Sequence, residues 1–514
     1  MTALDWTLVL VLNGGIILYG LYLSRGMRSS ADWFLAGRQL PWWLVGLSMY
    51  ATAIDASDLV ADSGGTYTLG MSVFVANWVG VVGGWVLAGF FIFLPMYRLG
   101  MYTNAEYLEA RFGVTVRVIC AFVQVQYRTL VLAIIATTAF LTLTVVSGWD
   151  ALSAWGVVGG IALLASIYTA LGGLRSVAVT DALQFCVMTL AGLVIWFIVW
   201  GKVGGWSGVE AKLTAVSADL PAKLLHIGAA RDGTPGWLVA LAFAIIGVAY
   251  SVVNQTQAMR MFASRNEWHL KMSIFAASVP LLIMTFCNLS IGVMGRALIP
   301  EQADLPDANQ DSIYPFLVSQ IDAVGLKGLV VAGVFAAALS TYDSIGSSLS
   351  ALLTRDVYAR LIVRDRDDRH YLRVGQWLTP VIIFGSFVYV PFMLEGGMLL
   401  FYIDLTSAFV IPLLTLFLMG TLTRVHRRAG LVGLIVGTLY GVLRLCTPAV
   451  ESQFGFSIMT GTLANSWAAY PLSMIISAAT MVLLLAFPRL GEQGDPDWSH
   501  WPRRGESLAA FQPD

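Results

Sequence analysis

Thirteen stretches of about twenty or more mostly apolar residues run along this 514-residue chain, each long enough for a helix to cross the hydrocarbon core of a bilayer. They lie near 5–25, 41–67, 71–97, 117–146, 150–172, 178–201, 237–259, 272–298, 326–354, 374–396, 398–421, 429–448 and 465–488. A chain that is 57% hydrophobic and only 12% charged, with a mean hydropathy of +0.75, lies far outside the soluble globular range. The expectation is an all-α polytopic membrane protein with about 13 transmembrane helices. Its formal charge of −1 gives no hint of a nucleic-acid partner; the lipid bilayer is its solvent. Cys120, Cys186, Cys287 and Cys446 stand singly in apolar segments and read as buried thiols. His226, His269, His370, His426 and His500 fall in loops or tails, so no His-based metal or catalytic cluster is expected in the core.

The opening string "MTALDWTLVL" lacks a basic n-region and a small-residue cleavage site, which predicts a retained first helix rather than a signal peptide. Alternate loops, among them "SRGMRSSADWFLAGR", "SRNEWHLK", "TRDVYARLIVRDRDDRHYLR" and "TRVHRR", are rich in Lys and Arg. Those on the other side are short ("SGWD") or acidic ("IPEQADLPDANQD"), apart from one long loop that counts weakly. This asymmetry predicts an N-terminus outside and a C-terminus in the cytoplasm; the compact form of the chain points to a bacterial inner membrane as the host. The last 26 residues are polar and too short for a folded domain. One transmembrane domain over 1–490 and a short cytoplasmic tail over 491–514 are therefore expected.

The run from Gln39 to Tyr97 contains no Lys or Arg, yet its segment "YATAIDASDLVADSGGTY" holds Asp55, Asp58 and Asp62. In one helix these stand at i, i+3 and i+7, on a single face. A carboxylate at the bilayer centre costs roughly 2.5–3.5 kcal/mol on the milder insertion scale, so such residues face a cavity or a partner. The alternative is a helix that ends near Ile54 and hands the aspartates to an ordinary loop. Two further polar clusters lie inside apolar spans. "SVVNQTQAMR" (251–260) carries Ser251, Asn254, Gln255, Thr256 and Gln257; "AAALSTYDSIGSSLS" (336–350) carries Ser340, Thr341, Asp343, Ser344, Ser347 and Ser348. Ser347 and Ser348 read as helix-packing residues. No nucleophile–base pair, phosphate loop or zinc motif accompanies these clusters, so neither an enzyme nor an organic cofactor is expected. Oxygen coordination of a hard cation remains, with carbonyls supplied where membrane helices break.

Several strings resemble the sodium:solute symporter family, which includes sodium/sugar, sodium/proline and sodium/sialic acid carriers. They are "YATAIDASD", "ADWFLAGRQLPWW", "YTALGGLRSVAVTDALQ", "NQTQAMR" and "LSTYDSIGSSLSALLTRDVY", in the family's order over nearly the whole chain. The resemblance implies a LeuT-type fold of two five-helix inverted repeats, about 41–201 and 237–421, each opening with a broken helix. The helices at 5–25, 429–448 and 465–488 are then peripheral. It also implies a sodium site on the carbonyls of Ala51, Ile54 and Ala337 and the hydroxyls of Ser340 and Thr341. A second sodium position would use Asp181, Ser340, Asp343 and Ser344; the competing role for Asp181 is pairing with a basic residue such as Arg175.

By the same resemblance the solute lies against Ser57, Asp58, Tyr250, Ser251, Asn254, Gln255 and Asp404, beside the polar Asp55. Tyr250 stands in the place of an inner gate tyrosine, its other role being an aromatic wedge between helices. Asp58 and Asp404 replace the glutamines of sugar carriers, and "SIFAASVP" lacks their lysine. With no unpaired Lys or Arg expected nearby, an acidic pocket argues against monocarboxylates. The function implied is sodium-coupled symport of a small polar solute by alternating access, a sugar or polyol first and an amino acid or other amine-bearing solute second. A solute sensor and a channel are rival readings, and no obligatory protein partner is expected.

Overall fold

The computed structural model describes residues 1–24, 30–231, 233–394 and 397–484; the expected tail at 491–514 lies outside them. The segments that position the site are α1 (Ala3–Leu23), α2 (Trp42–Ala53), α3 (Ala56–Val73), α4 (Ala76–Arg98), α5 (Asn104–Phe112), α6 (Val114–Val146) and α7 (Ala151–Val203). They continue with α8 (Gly236–Val253), α9 (Gln255–Phe262), α10 (Glu267–Leu298), α11 (Leu326–Ile362), α12 (Asp368–Met393), α13 (Met398–Leu422), α14 (Arg427–Phe454) and α15 (Ala469–Leu483).

Ten of these are single helices long and apolar enough to span a membrane, and the bent pair α2–α3 makes an eleventh span. The sequence had suggested separate spans at 150–172 and 178–201, and here they form the 53-residue α7. An unbroken helix of that length would reach roughly 80 Å, more than twice the hydrocarbon core. Gly173 interrupts it, with φ 53° and ψ −176°, outside the helical region. The indole Nε1 of Trp33 donates to the Ala170 carbonyl beside this interruption at 3.1 Å. Counting α7 as two crossings and the short apolar α15 as one accounts for all thirteen stretches.

Packing is inverted relative to a soluble protein. Ser340, Thr341, Asp343 and Ser344 are wholly buried, whereas Leu18, Leu152, Trp377 and Val388 stand exposed on the outer faces of their helices. The outward apolar surface suits lipid, and the polar groups inside must find partners in the bundle. Cys120 and Cys287 are buried as expected, but Cys186 and Cys446 are exposed, on helix faces that the apolar pattern alone does not distinguish from the interior. Small residues bring some helices into backbone contact. A Cβ on Gly247 of α8 would lie 1.9 Å from the Ala76 carbonyl oxygen and 2.6 Å from the Gly80 Cα of α4. Asp5 ties α1 to α11, its Oδ1 accepting from the Gly325 and Gly328 amides at 2.8 and 3.0 Å. That places a carboxylate at the positive end of α11.

Candidate functional site

Two helices break where the sequence concentrates polar residues. The first break falls at Ile54 (φ −107°, ψ 103°) and Asp55, and α2 meets α3 at 47°. Asp55 is therefore the cap of α3 rather than a residue on its face, and only Asp58 and Asp62 share the helical surface. The Asp55 carboxylate accepts from the Ser57 amide at 2.7 Å, while Asp58 Oδ2 accepts from the Asp55 amide at 2.6 Å, a reciprocal capping box. Both earlier readings of this stretch were half right: the helix does end near Ile54, and the aspartates then begin a second helix.

The capping box has a consequence for the α2 carbonyls. In a continuous helix the Asp55 amide would bond the Ala51 carbonyl; captured by Asp58, it leaves that carbonyl to a partner outside its helix. Ser340 Oγ lies 2.9 Å from the Ala51 oxygen and 2.9 Å from the Ala337 oxygen, and Thr341 Oγ1 lies 3.2 Å from the latter. Ala51, Ala337, Ser340 and Thr341 are wholly buried and Ile54 is 2% exposed. Four of the five expected sodium ligands thus form a buried chain of neutral oxygens in which Ser340 joins α11 to Ala51 of α2. Ile54 sits at the break itself. The next carbonyl, that of Thr52, accepts from the Tyr250 hydroxyl at 2.8 Å.

The second break, at Asn254 (φ −71°, ψ 112°), is closed differently. Asn104 Nδ2 donates to the Val253 carbonyl at 2.7 Å, and Gln124 Oε1 accepts from the Gln255 amide at 2.8 Å. Gln255 Oε1 in turn accepts from the Asn104 amide at 2.9 Å, and its Nε2 donates to the Tyr102 carbonyl at 3.1 Å. Asn254 caps α9 through the Thr256 amide. Ser251 donates to the Val81 and Gly247 carbonyls. These three residues, expected to touch solute, are engaged in backbone capping and helix packing, because a break inside a membrane must satisfy its freed groups from neighbouring side chains. Asn104 and Gln124 were not anticipated, since their partners lie more than a hundred residues away in the chain.

A cavity of about 110 Å³ opens beside the first break. Its polar wall includes Asp55, Ser57, Asp58, Asp62, Asn77 and Arg128; Phe243, Tyr250 and Tyr402 are among its aromatic members. Asp404 is absent from this wall. It pairs with Arg444 of α14 at 2.8 Å and is 40% exposed, while its neighbours Tyr402 and Ile403 line the cavity. The expectation of no basic group nearby is overturned, by Arg128 of α6. The guanidinium is 1% exposed and lies over the rings of Tyr127 and Tyr250, at 5.4 and 5.6 Å from their centroids. An arginine in the middle of an apolar span was the available signal.

The expected second sodium cluster contains a side-chain cation. Arg260 of α9 pairs with Asp181 at 2.9 Å, both wholly buried, and also donates to Ser48 at 2.7 Å and to Ser344. Asp343 accepts from the Tyr168 hydroxyl and, at 3.1 Å, from Ser344. The partner of Asp181 is thus Arg260 and not Arg175. Its guanidinium supplies the positive charge that a second ion would have brought. Ser347 and Ser348 bond to the Ser344 and Ile345 carbonyls of their own helix, and Ser348 also meets Thr256, in keeping with packing roles.

On the side of the bundle where α5 lies, Arg117 joins Glu109 and Asp356, and Arg360 also reaches Glu109. This network fastens α5 and α6 to the end of α11. Among the described residues no cluster of three or more His, Cys, Asp or Glu side chains is arranged to hold a metal ion.

Comparison with known proteins agrees with this architecture. The chain is 28% identical over 487 residues to sodium/myo-inositol cotransporter 2 of Sus scrofa, a match covering 85% of this chain and 70% of the relative. It is also 28% identical over 436 residues to the sodium/glucose cotransporter of Vibrio parahaemolyticus, covering 79% and 78%. In fold it matches a substrate-bound, outward-open Na+-coupled sialic acid symporter with a TM-score of 0.78 at 20% identity, over 94% of this chain and 98% of that one. A nucleobase-cation-symport-1 family transporter matches at 0.54, with 12% identity over 88% and 95% of the two chains. These are LeuT-fold carriers, and the multi-pass helical bundle with its two broken helices is of their kind. The family model for sodium:solute symporters matches residues 33–437, and the chain belongs to the sodium:solute symporter family.

Proposed function

We propose that the chain takes up a sugar or polyol, driven by sodium moving down its gradient through the nest of Ala51, Ile54, Ala337, Ser340 and Thr341. The observation that carries this reading is the Ala51 carbonyl, released from its helical amide and accepting from the Ser340 hydroxyl at the break that also opens the cavity. Sodium entering from outside binds these oxygens, holds α2 against α11 and fixes the break. That fixes Asp55, Ser57 and Asp58 on the cavity wall, where carboxylates and a hydroxyl suit a polyhydroxylated solute. The Tyr250 hydroxyl on Thr52 links the two broken helices, so filling the cavity beside it bears on the same break. The bundle then rocks and releases both inward.

The repeats run over about 41–201 and 237–421 in a single transmembrane domain, with the N-terminus outside and the C-terminus in the cytoplasm of a bacterial inner membrane. Arg260 in the Asp181 cluster favours one sodium per cycle. One charge crossing 100 mV yields about 2.3 kcal/mol, and a tenfold sodium gradient about 1.4 kcal/mol. Their sum, about 3.7 kcal/mol, sustains a neutral solute gradient of several hundredfold.

The test is uptake of labelled myo-inositol and glucose into proteoliposomes with and without an inward sodium gradient. Accumulation that collapses when sodium is equilibrated across the membrane is expected; equal accumulation without a gradient would overturn the coupling. An amine-bearing solute is the second reading, favoured by the three aspartates beside the cavity, and the same assay with labelled amino acids separates the two.

A further inference from the structure

Another cavity, of about 600 Å³, shares no wall residue with the one at the first break. It lies between the end of α1, the segment 32–41, α7 just past its interruption at Gly173, and the turn from α9 to α10. Two arginines, Arg175 and Arg265, stand on its wall against one carboxylate, Asp32, and Leu23, Leu44 and Val179 are among its apolar members. Arg175 is exposed and has no hydrogen-bond or ion-pair partner among the described residues. Arg265 uses only its Nε, which donates to the Gln39 carbonyl at 2.7 Å, and both of its Nη groups stay open. Glu267, two residues on, is already paired with Arg98 at 2.8 Å. Tryptophans give the level of the cavity in the bilayer. Trp42, Trp43 and Trp268 are exposed beside it, Trp42 edge-on to Trp268 at 6.4 Å, and exposed indoles at the ends of apolar spans mark the membrane–water boundary. From that boundary the wall grades inward. Val179 lies one turn along α7 from Arg175, and Leu44 lies in the first turn of α2, so charge sits at the mouth and aliphatic side chains beneath it.

We infer that this cavity binds an anionic membrane phospholipid, its phosphodiester held by Arg175 and Arg265 and its glycerol and acyl carbons lying against Leu23, Leu44 and Val179. Guanidinium forks match phosphate oxygens in geometry as well as charge, and basic pockets between membrane helices suit such headgroups. Asp32 has a partner of its own, so the excess positive charge of the wall is left to the headgroup. The site bears on transport through the backbone beside it. The Leu40 amide donates to the Ala263 carbonyl and the Arg265 amide to the Leu40 carbonyl, both at 3.1 Å, which ties the entry of α2 to the exit of α9. Those are the outer ends of one half of each broken helix, and a phospholipid on Arg265 braces the tie from the lipid side. The inference is independent of the solute carried.

The test is native mass spectrometry of the purified full-length chain in a neutral detergent, titrated with phosphatidylglycerol, phosphatidylethanolamine or phosphatidylcholine of identical acyl chains. Each arginine beside an anionic headgroup is worth about fivefold in binding, so phosphatidylglycerol should bind about twentyfold more tightly than phosphatidylcholine. Arg175→Gln should lower that preference about fivefold, and the double variant with Arg265→Gln should abolish it. Arg373→Gln, at an exposed arginine off the cavity wall, should leave it unchanged. Arg175 has no partner to lose, so its single variant reads the site even where the double variant fails to fold. Equal binding of the three lipids overturns the inference, as does a preference for phosphatidylethanolamine. A phosphatidylglycerol preference that persists undiminished in Arg175→Gln, or falls equally in Arg373→Gln, overturns it too. Displacement of phosphatidylglycerol by sn-glycerol 3-phosphate or inorganic phosphate at equal concentration would assign the arginines to a soluble phosphate ligand and overturn the lipid.

Discussion

Replacing Ser340 and Thr341 together by alanine removes both hydroxyls from the proposed sodium nest and leaves its carbonyls in place. A hydrogen bond or ion–dipole contact to a charged partner is worth about 1.5–3 kcal/mol, so two lost oxygens weaken sodium binding by about 3–6 kcal/mol, or roughly a hundredfold to ten-thousandfold. The fold loses less. Ser340 gives up its contacts with the Ala51 and Ala337 carbonyls and Thr341 one with Ala337, each about 1 kcal/mol. Both positions are wholly buried in α11, where alanine is a good helix former. The assay is the sodium dependence of solute uptake in proteoliposomes, with sodium-induced thermal stabilisation of the same preparation as a binding readout. The double variant is expected to fold, insert and lose sodium stimulation throughout the accessible range. A folded variant whose half-saturating sodium stays within about threefold of the parent would refute the assignment, because no pair of ion ligands is worth so little.

Four further outcomes follow from the geometry. Asp58→Asn keeps an oxygen to accept from the Asp55 amide and removes a charge from the cavity, so solute affinity should fall about ten- to a hundredfold with a smaller change for sodium; equal losses would assign Asp58 to coupling or folding. Arg260→Gln strands a wholly buried carboxylate at Asp181 and should cost about 3–5 kcal/mol, part of which Asp181→Asn restores; strict additivity in the double-mutant cycle would show that the pair is not coupled. Gly247→Ala forces a methyl against α4 and should destabilise by about 1–3 kcal/mol or more, read as a lower Tm; an unchanged Tm contradicts the close approach. For Glu109, burial opposes ionisation, but Arg360 and Arg117 prevail and hold its carboxyl below the ordinary range. Its contribution is therefore present above the unfolded carboxylate pKa and lost as pH falls through the lower folded value, a dependence of Tm that Glu109→Gln should flatten.

The sequence exposed the architecture because the bilayer sets it: twenty apolar residues at a time are legible without coordinates. The broken helices were legible for the same reason, since two of the three polar clusters that lipid would otherwise exclude, 50–67 and 251–260, fall on the breaks, while the third, 336–350, stays within an unbroken helix. Which polar groups face solute was less readable. Ser251 and Gln255 carry the composition of a binding surface, yet their partners on α4, α5 and α6 consume them, and the Asn254 side-chain oxygen caps its own helix α9. The Arg444 partner of Asp404 was hidden for want of helix rotation, which one step around α13 decides. Arg128 and Arg260 were visible as charges in or beside apolar spans, but the distance from Arg260 to Asp181 along the chain hid the ion pair.

The guanidinium at Asp181 is a counter-charge that the polypeptide carries with it. A tethered cation is never exchanged with either bath, so no salt concentration can fill or empty its place, and no gradient can do work there. The pair carries no net charge of its own, and the neighbouring Asp343, held by Tyr168 and Ser344, is the carboxylate of that corner with no arginine bonded to it.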